Sequence, residues 1–410
     1  MATTLIPSAL EKPSNCGSNY ESLLKHSVII GADEKARMRG DNPLPSVEPP
    51  KKVIVVGAGI SGLRAASVLR RHGLDVVIVE SRDRIGGRIC ASSQPGKTRD
   101  LGAAWMHETS QNKLTKLIPK LGVDYYYDDG APLYYTPYGK AGAQFKAKKV
   151  ADEFADYCEW FYKNNPDAED KSVDELVRSF VKKHDLITED ERLWAPQATR
   201  EIELWIGTSD ISEGISRFSY GALGKVFFEF AEVFWTKDHD QLIYYPAPPE
   251  HQEEGLVTDG ILAHPTVTVN TWLMSGRKEL CVQVAEPLTQ RVEAMSNEEL
   301  YSFFRPLFNL YRTEPYKALP QLVSIECTKW TQDPLAGFGT YSADKVGDEP
   351  SLFTDALTNH KYSRLQFAGE HSDSSSCDSS LAYQLMLLNI PTGIALINPR
   401  HRLGILRGAM

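Results

Sequence analysis

One stretch restricts the architecture more than any other: Lys52 to Arg88, KVIVVGAGISGLRAASVLRRHGLDVVIVESRDRIGGR. A short β-rich apolar run, Val53 to Val56, leads into Gly57, Gly59 and Gly62 in G-x-G-x-x-G spacing. A helix-forming run follows from Leu63 to Arg71, Gly73 ends it, and a second apolar run, Val76 to Val79, closes on Glu80. An isolated glycine triplet of this kind is an ordinary turn. Flanked by strand, helix, strand and acid, it reads as a dinucleotide-binding unit. Gly57 permits the tight turn, Gly59 lets a pyrophosphate approach the backbone, and Gly62 lets the helix pack close to the strand. The helix N-terminus offers free N–H groups to phosphate, and Glu80 stands where a carboxylate accepts from a ribose.

The residues after Glu80 narrow the class. Ser81-Arg82-Asp83-Arg84-Ile85-Gly86-Gly87-Arg88 continues directly, and Asp100-Leu101-Gly102-Ala103-Ala104-Trp105 follows. Gly86 and Gly87 bring backbone N–H groups near a ligand, and Arg88 supplies a fixed cation for a pyrophosphate. This extended pattern resembles the flavin-containing amine oxidase family, which includes polyamine and monoamine oxidases. The resemblance implies FAD, held without a covalent link, since no cysteine in the C-terminal part has the setting of the covalently flavinylated relatives. It implies a cofactor site of Gly57, Gly59, Gly62, Glu80, Arg82, Gly86, Gly87, Arg88, Gly102, Ala103, Ala104 and Trp105.

Three later blocks extend the resemblance. Gly221 to Phe230, GALGKVFFEF, is similar to the family strand whose lysine holds a water against flavin N5, which makes Lys225 the catalytic candidate. On residues alone Lys225 reads as a strand-edge lysine facing solvent. Ser324 to Trp330, Asp333-Pro334 and Gly337 to Ser342 are similar to the block that wraps the isoalloxazine. Trp330 and Tyr341 then become substrate-binding walls, with Trp330 also against the flavin; the bland alternative is two core aromatics. Leu365 to His371 ends in Gly369-Glu370-His371, where relatives place the acid near the ribityl or pyrophosphate region. His107, two residues after Trp105, resembles a histidine at the polyamine oxidase entrance and reads equally well as a core histidine.

The remaining chain is read by pattern. Helices are expected at Asn112 to Leu121, Lys149 to Asn164, Val173 to His184, Glu189 to Ile206 and within Glu286 to Asn309. Their aromatics read as core. Strands are expected at Gln241 to Tyr245, Thr266 to Leu273 and Glu279 to Val284. The fold class expected is α/β in two domains: a Rossmann-like FAD-binding domain of 52–108 and 355–400, and a sheet-plus-helices substrate domain of 109–354. Residues 1–51, broken by prolines, read as a disordered leader.

Composition excludes some partners. With 42% hydrophobic and 24% charged residues, the chain fits a soluble globular protein. A net charge of −9 argues against a nucleic-acid partner and mildly favours cationic substrates. No run is long enough to cross a bilayer, and no targeting signal is recognised, so the cytoplasm is the default expectation. The six cysteines show no C-x-x-C pairing, so no metal site is expected.

The function implied by the resemblance is FAD-dependent oxidation of a primary or secondary amine, polyamines included, with O₂ as the second substrate. Two departures open an alternative. Relatives carry a further strand-bearing block between Tyr220 and Gly221, and a glycine-rich helix after the G-E-H motif. Here Ser372 to Ser380 intervenes, with Tyr383 a weak candidate for the aromatic over the flavin. A shortened, catalytically impaired oxidase is the alternative these motivate. An L-amino-acid oxidase of the same fold is the other, needing an arginine clamp from Arg200 or Arg217. The oligomeric state is left open.

Overall fold

The computed structural model describes residues 52–97, 99–105, 118–122, 125–126, 132–141, 146–165, 168–169, 171–202, 219–251 and 260–343. The first unit is β1 (Lys52–Val56), α1 (Ile60–Arg71) and β2 (Asp75–Val79), with β1 and β2 parallel and paired from Lys52↔Asp75 to Val56↔Val79. The helix starts three residues before the Leu63 expected from pattern, because Gly59 already serves as its N-cap. Ala65, Ala66 and Leu69 form its buried stripe. The expected strand–turn–helix–strand order is thus in place.

A short helix, α2 (Ile118–Leu121), and a hairpin of β3 (Leu133–Thr136) and β4 (Gly139–Lys140) follow. The hairpin was not legible in the pattern. Three helices come next: α3 (Ala147–Asn164), α4 (Val173–Lys183) and α5 (Glu189–Thr199). Capping boxes start α4 (Ser172 with Glu175) and α5 (Thr188 with Glu191), which satisfies N–H groups the first turn leaves free. The helix expected to reach Ile206 ends at Thr199 and tightens into a 3₁₀ turn over Arg200–Ile202. Val150, Phe154, Val177, Val181 and Ala195 close the three helices on one another, as their spacing predicts.

The larger sheet has seven strands in the order β10-β6-β9-β8-β7-β3-β4. It comprises β6 (Gly224–Phe230), β7 (Gln241–Tyr244), β8 (Thr266–Asn270), β9 (Glu279–Val284) and β10 (Leu322–Cys327) with the β3–β4 hairpin. Every pairing is antiparallel except β3 with β7. A separate pair joins β5 (Ser219–Gly221) to β11 (Tyr341–Ala343). The run expected as one strand from Gly221 to Phe230 is therefore divided. Thr340 donates its N–H to the Gly221 carbonyl and accepts from the Leu223 N–H, which turns the chain out of the sheet. The strand expected to reach Leu273 stops at Asn270. Its side chain accepts from Trp272 N–H and starts a helical turn, α6 (Thr271–Ser275).

Alternation gives the sheet two faces. Val226, Phe228, Phe230, Leu280 and Val282 pack against α8 (Asn297–Tyr311), which follows α7 (Leu288–Ala294) and presents Leu300, Phe304, Leu307, Phe308 and Tyr311. Phe228 lies 5.2 Å from Phe304 and 4.8 Å from Phe308, centroid to centroid. Burial of each such ring contributes about 1.5–3 kcal/mol. The other face carries Lys225, Phe227 and Glu229. Further across, Ile243, Tyr245 and Val267 meet Ala147 and Ala151 of α3 and Trp194 and Ala198 of α5.

Candidate active site

The glycine turn is built by its backbone. Gly57 has φ of +97° and donates its N–H to Val79 O at 2.7 Å, so β1 crosses to the end of β2. A Cβ on Gly62 would lie 2.0 Å from Gly57 O, so only glycine lets α1 sit this close. A Cβ on Gly59 would meet nothing within 4 Å, which leaves an open approach at the start of the helix. At the end of β2, Glu80 accepts from Ala58 N–H at 2.6 Å and Arg82 N–H at 2.9 Å. Those two bonds, Arg82's first, hold its carboxyl below the usual carboxylate range. An open glycine turn, a helix start and a fixed carboxylate at a strand end suit a dinucleotide.

The double glycine lies against this turn. Gly86 donates to Ala58 O at 2.9 Å and bridges Gly59. A Cβ on Gly86 would lie 2.5 Å from Ile89 O, and its φ is +101°. Arg84, which sequence reasoning passed over, braces the turn by donating Nη1 to Gly87 O at 2.9 Å. Arg88 donates Nη1 to Thr340 O at 3.1 Å. Arg82 forms a 2.7 Å ion pair with Asp333, which ties the acid segment to the Asp-Pro block. Both arginines are therefore braces between sequence blocks far apart in the chain.

Residues 90–97 and 99–102, called the 90–102 hairpin below, form the two arms of an irregular hairpin, with Ala91 bridging Asp100 and Leu101 N–H donating to Cys90 O at 2.8 Å. Its carbonyls receive Lys225. The Nζ donates to Gly102 O at 2.5 Å and Asp100 O at 3.2 Å, and lies 4.8 Å from the centroid of the Trp105 ring. Lys225 is only 5% exposed, which excludes the solvent-facing reading. Burial pushes its pKa below the usual lysine range. With two N–H groups committed to carbonyls, the third N–H of Nζ has no hydrogen-bond partner among the described residues. Gly102 is sterically required here, because a Cβ would lie 1.7 Å from Arg88 O. Ala103 and Ala104 are exposed beside it.

The Trp330 block closes on the same hairpin. Trp330 is buried and donates Nε1 to Leu101 O at 2.8 Å. Glu293, buried on α7, accepts from Thr328 Oγ1 at 2.6 Å and from Thr331 N–H at 2.7 Å. Thr328 in turn accepts from Lys225 N–H at 3.0 Å. Glu293 thus fixes the turn that carries Trp330, a role no motif announced. Tyr341 packs over Gly221, where a Cβ would lie 2.6 Å from its ring. Its buried hydroxyl has no hydrogen-bond partner among the described residues.

A second buried cluster lies beside the first and was not legible in the sequence. Arg99 donates to Glu279 at 2.6 Å, Glu326 at 2.9 Å and Ser324 at 3.0 Å, with its side chain wholly buried. Neighbouring Lys97 pairs with Glu229. The candidates His107, Arg217, Gly369, Glu370 and Tyr383 lie outside the described residues. Arg200 is the C-cap of α5. Among the described residues no His, Cys, Asp or Glu grouping suits a metal, and no helix is long and apolar enough to cross a membrane.

Comparison with known proteins gives the family and the fold. The family described as flavin containing amine oxidoreductase matches residues 60–210 and 202–378. The chain is 22% identical over 451 positions to the corticosteroid-binding protein of Candida albicans, covering 79% of this chain and 91% of that protein. Because 451 positions exceed the chain's 410 residues, that alignment opens gaps in this chain. Polyamine oxidase 4 of Oryza sativa is 37% identical over 132 residues, 29% of this chain and 27% of that one. The match therefore spans about a quarter of that relative. Cyclohexylamine oxidase from Brevibacterium oxydans superposes with a TM-score of 0.56 at 18% identity, covering 85% of this chain and 99% of that one. A putrescine oxidase variant gives 0.55 at 14%, with the same coverage of each. These structures share the two-domain α/β fold. With its glycine turn, its buried Lys225 and a family match running through both, the chain belongs to the flavin-containing amine oxidoreductases, enzymes whose cofactor is FAD.

Proposed function

We propose that this chain oxidises a primary or secondary amine to an imine, which water hydrolyses to a carbonyl, and that polyamines are among its substrates. One observation carries the reading. Two blocks far apart in sequence converge on one hairpin: its carbonyls at 100–102 receive both the Lys225 Nζ and the Trp330 indole N–H. Bound FAD supplies the hydride acceptor, and O₂ takes up the electrons to give H₂O₂.

The chain's own residues hold, orient and desolvate. Gly57, Gly59, Gly62 and Glu80 would hold the adenosine half, and Gly86, Gly87 and Arg88 the pyrophosphate, without a covalent link. Gly102 to Trp105, with Trp330, would flank the flavin ring, with Gly369 and Glu370 completing the site from the 355–400 segment. Lys225 would hold a water through its third N–H. Trp330 and Tyr341 would form apolar walls that favour the neutral amine, the form with a lone pair to drive hydride release. Burial raises the Tyr341 phenol above its ordinary range, so that wall stays uncharged. In this reading 52–108 and 355–400 form the cofactor domain and 109–354 the substrate domain. Catalysis would take place in the cytoplasm.

The deciding experiment is the visible spectrum of the purified chain, before and after anaerobic addition of spermine, putrescine or a monoamine. An oxidised-flavin spectrum that bleaches supports oxidation. Lys225→Met should retain flavin and slow turnover by about 10²-fold, the order of a lost proton-handling group; turnover within twofold of the unmodified chain rejects the role of Lys225.

A second reading, flavin binding without turnover, is supported by the gaps the Candida albicans relative opens in this chain. It expects a flavin spectrum that no amine bleaches.

A further inference from the structure

The other buried ion cluster lies on the same sheet face as Lys225. Glu229 on β6 stands directly opposite Glu279 on β9, and on β10 Ser324 stands opposite Glu229 with Glu326 two residues on. Alternation therefore places Glu229, Glu279 and Glu326 on one face, as near neighbours across three strands. Such a group of carboxylates is strongly repulsive unless cations enter it. Arg277 lies 3.7 Å from Glu279, and the other cations come from the 90–102 hairpin. Arg99 reaches Glu279 and Glu326, with Glu229 at 3.7 Å, and Lys97 pairs with Glu229. Ser92, on the opposite arm, donates to Glu326 at 2.7 Å.

We propose that Arg99 is a positioning residue: it keys the 90–102 hairpin into the carboxylates of β6, β9 and β10, and so sets the carbonyls of Asp100 and Gly102 where Lys225 needs them. The two sites are mechanically one piece. Arg99 is bonded to the residue whose carbonyl accepts from Lys225. Its own carbonyl accepts from Ser92 N–H at 2.8 Å, and Leu101 and Gly102 both donate to Cys90 O. A shift of the hairpin thus moves both acceptors together. The Lys225 ammonium bonds to no carboxylate among the described residues, so its place depends on those two carbonyls. The planar guanidinium suits the task, since its donors engage Glu279, Glu326, Ser324 and Gln94 at once in fixed directions.

The test reads Lys225 directly. The purified full chain is treated with an amine-acetylating reagent, and labelling of each lysine is followed by peptide mass spectrometry. Lys52, with 63% of its side chain exposed, is the internal standard. Arg99→Gln should raise Lys225 labelling about tenfold relative to Lys52, because the closed state that shields the amine is lost. A cooperative melt with Lys225 labelling within twofold of the unmodified chain overturns the proposal. If Arg99→Gln fails to fold, Glu326→Gln decides. It keeps the Arg99–Glu279 pair and should raise labelling about threefold; no rise overturns the proposal. The catalytic meaning of this device rests on the role of Lys225 proposed above, but labelling reads geometry alone. A turnover-competent Lys225→Met would sink that role and leave the Arg99 result standing.

Discussion

The glycine turn and the Lys225 site are built from opposite materials. The turn is local: residues 57–62 and 80–87 are near in sequence and joined mainly by backbone. Its strands are open to solvent, with Val56 60% and Val79 52% exposed. The Lys225 site is assembled from 88–105, 225, 293 and 328–330, and is buried against a sheet whose β8 and β9 show no exposed residue. The turn depends on what glycine permits. The lysine site depends on long-range packing, and its donors and acceptors hold their places only while the sheet and hairpin stay together.

That contrast can be broken from either side. The largest effect is expected in the packed half. Phe228→Ala removes a ring fully buried between β6 and α8, and should cost about 3–5 kcal/mol in urea unfolding. A loss below about 1 kcal/mol would mean the sheet does not depend on that core. Gly62→Ala comes next. The added methyl meets Gly57 O, so about 1–3 kcal/mol of strain is expected. The flavin absorbance kept after gel filtration should fall, whereas Phe228→Ala at a temperature where it stays folded should keep it.

Acid titration sharpens the local side. Glu80 has a depressed pKa in the folded chain. Its stabilisation is therefore present above the unfolded carboxylate value, and is lost as pH falls through the lower folded value. Glu80→Gln should lower the melting temperature at neutral pH and make no difference at about pH 2–3. Equal loss at both pH values would show that Glu80 acts by shape and not by charge. The smallest effect belongs to the Lys52–Asp75 pair across β1 and β2, 3.5 Å apart with both side chains more than half exposed. Lys52→Ala should change stability by less than about 1 kcal/mol, and less again in high salt.

Lys225 and Trp330 were singled out by the family resemblance; what the sequence by itself determined was the β1–α1–β2 unit with its glycine turn and the helices α3 and α4. These follow from spacing, caps and periodicity, which act over a few residues. Its errors came where local rules end. Asn270 caps a helix inside a run that alternates like a strand, because its carboxamide oxygen is fixed by Trp235 from another segment. Gly221 leaves its strand because Thr340 captures it. The β3–β4 hairpin gave no signal, since β3 is completed by its partner β7. Only the tertiary structure decided that Lys225 is buried, that Arg82 and Arg88 brace distant blocks, and that Arg99 and Glu293 matter at all. Their roles come from partners 180 or more residues away in the main contacts of the three arginines, and from partners some 35 residues on for Glu293. Burial and pairing over such distances depend on the folded chain, and no window of sequence contains them.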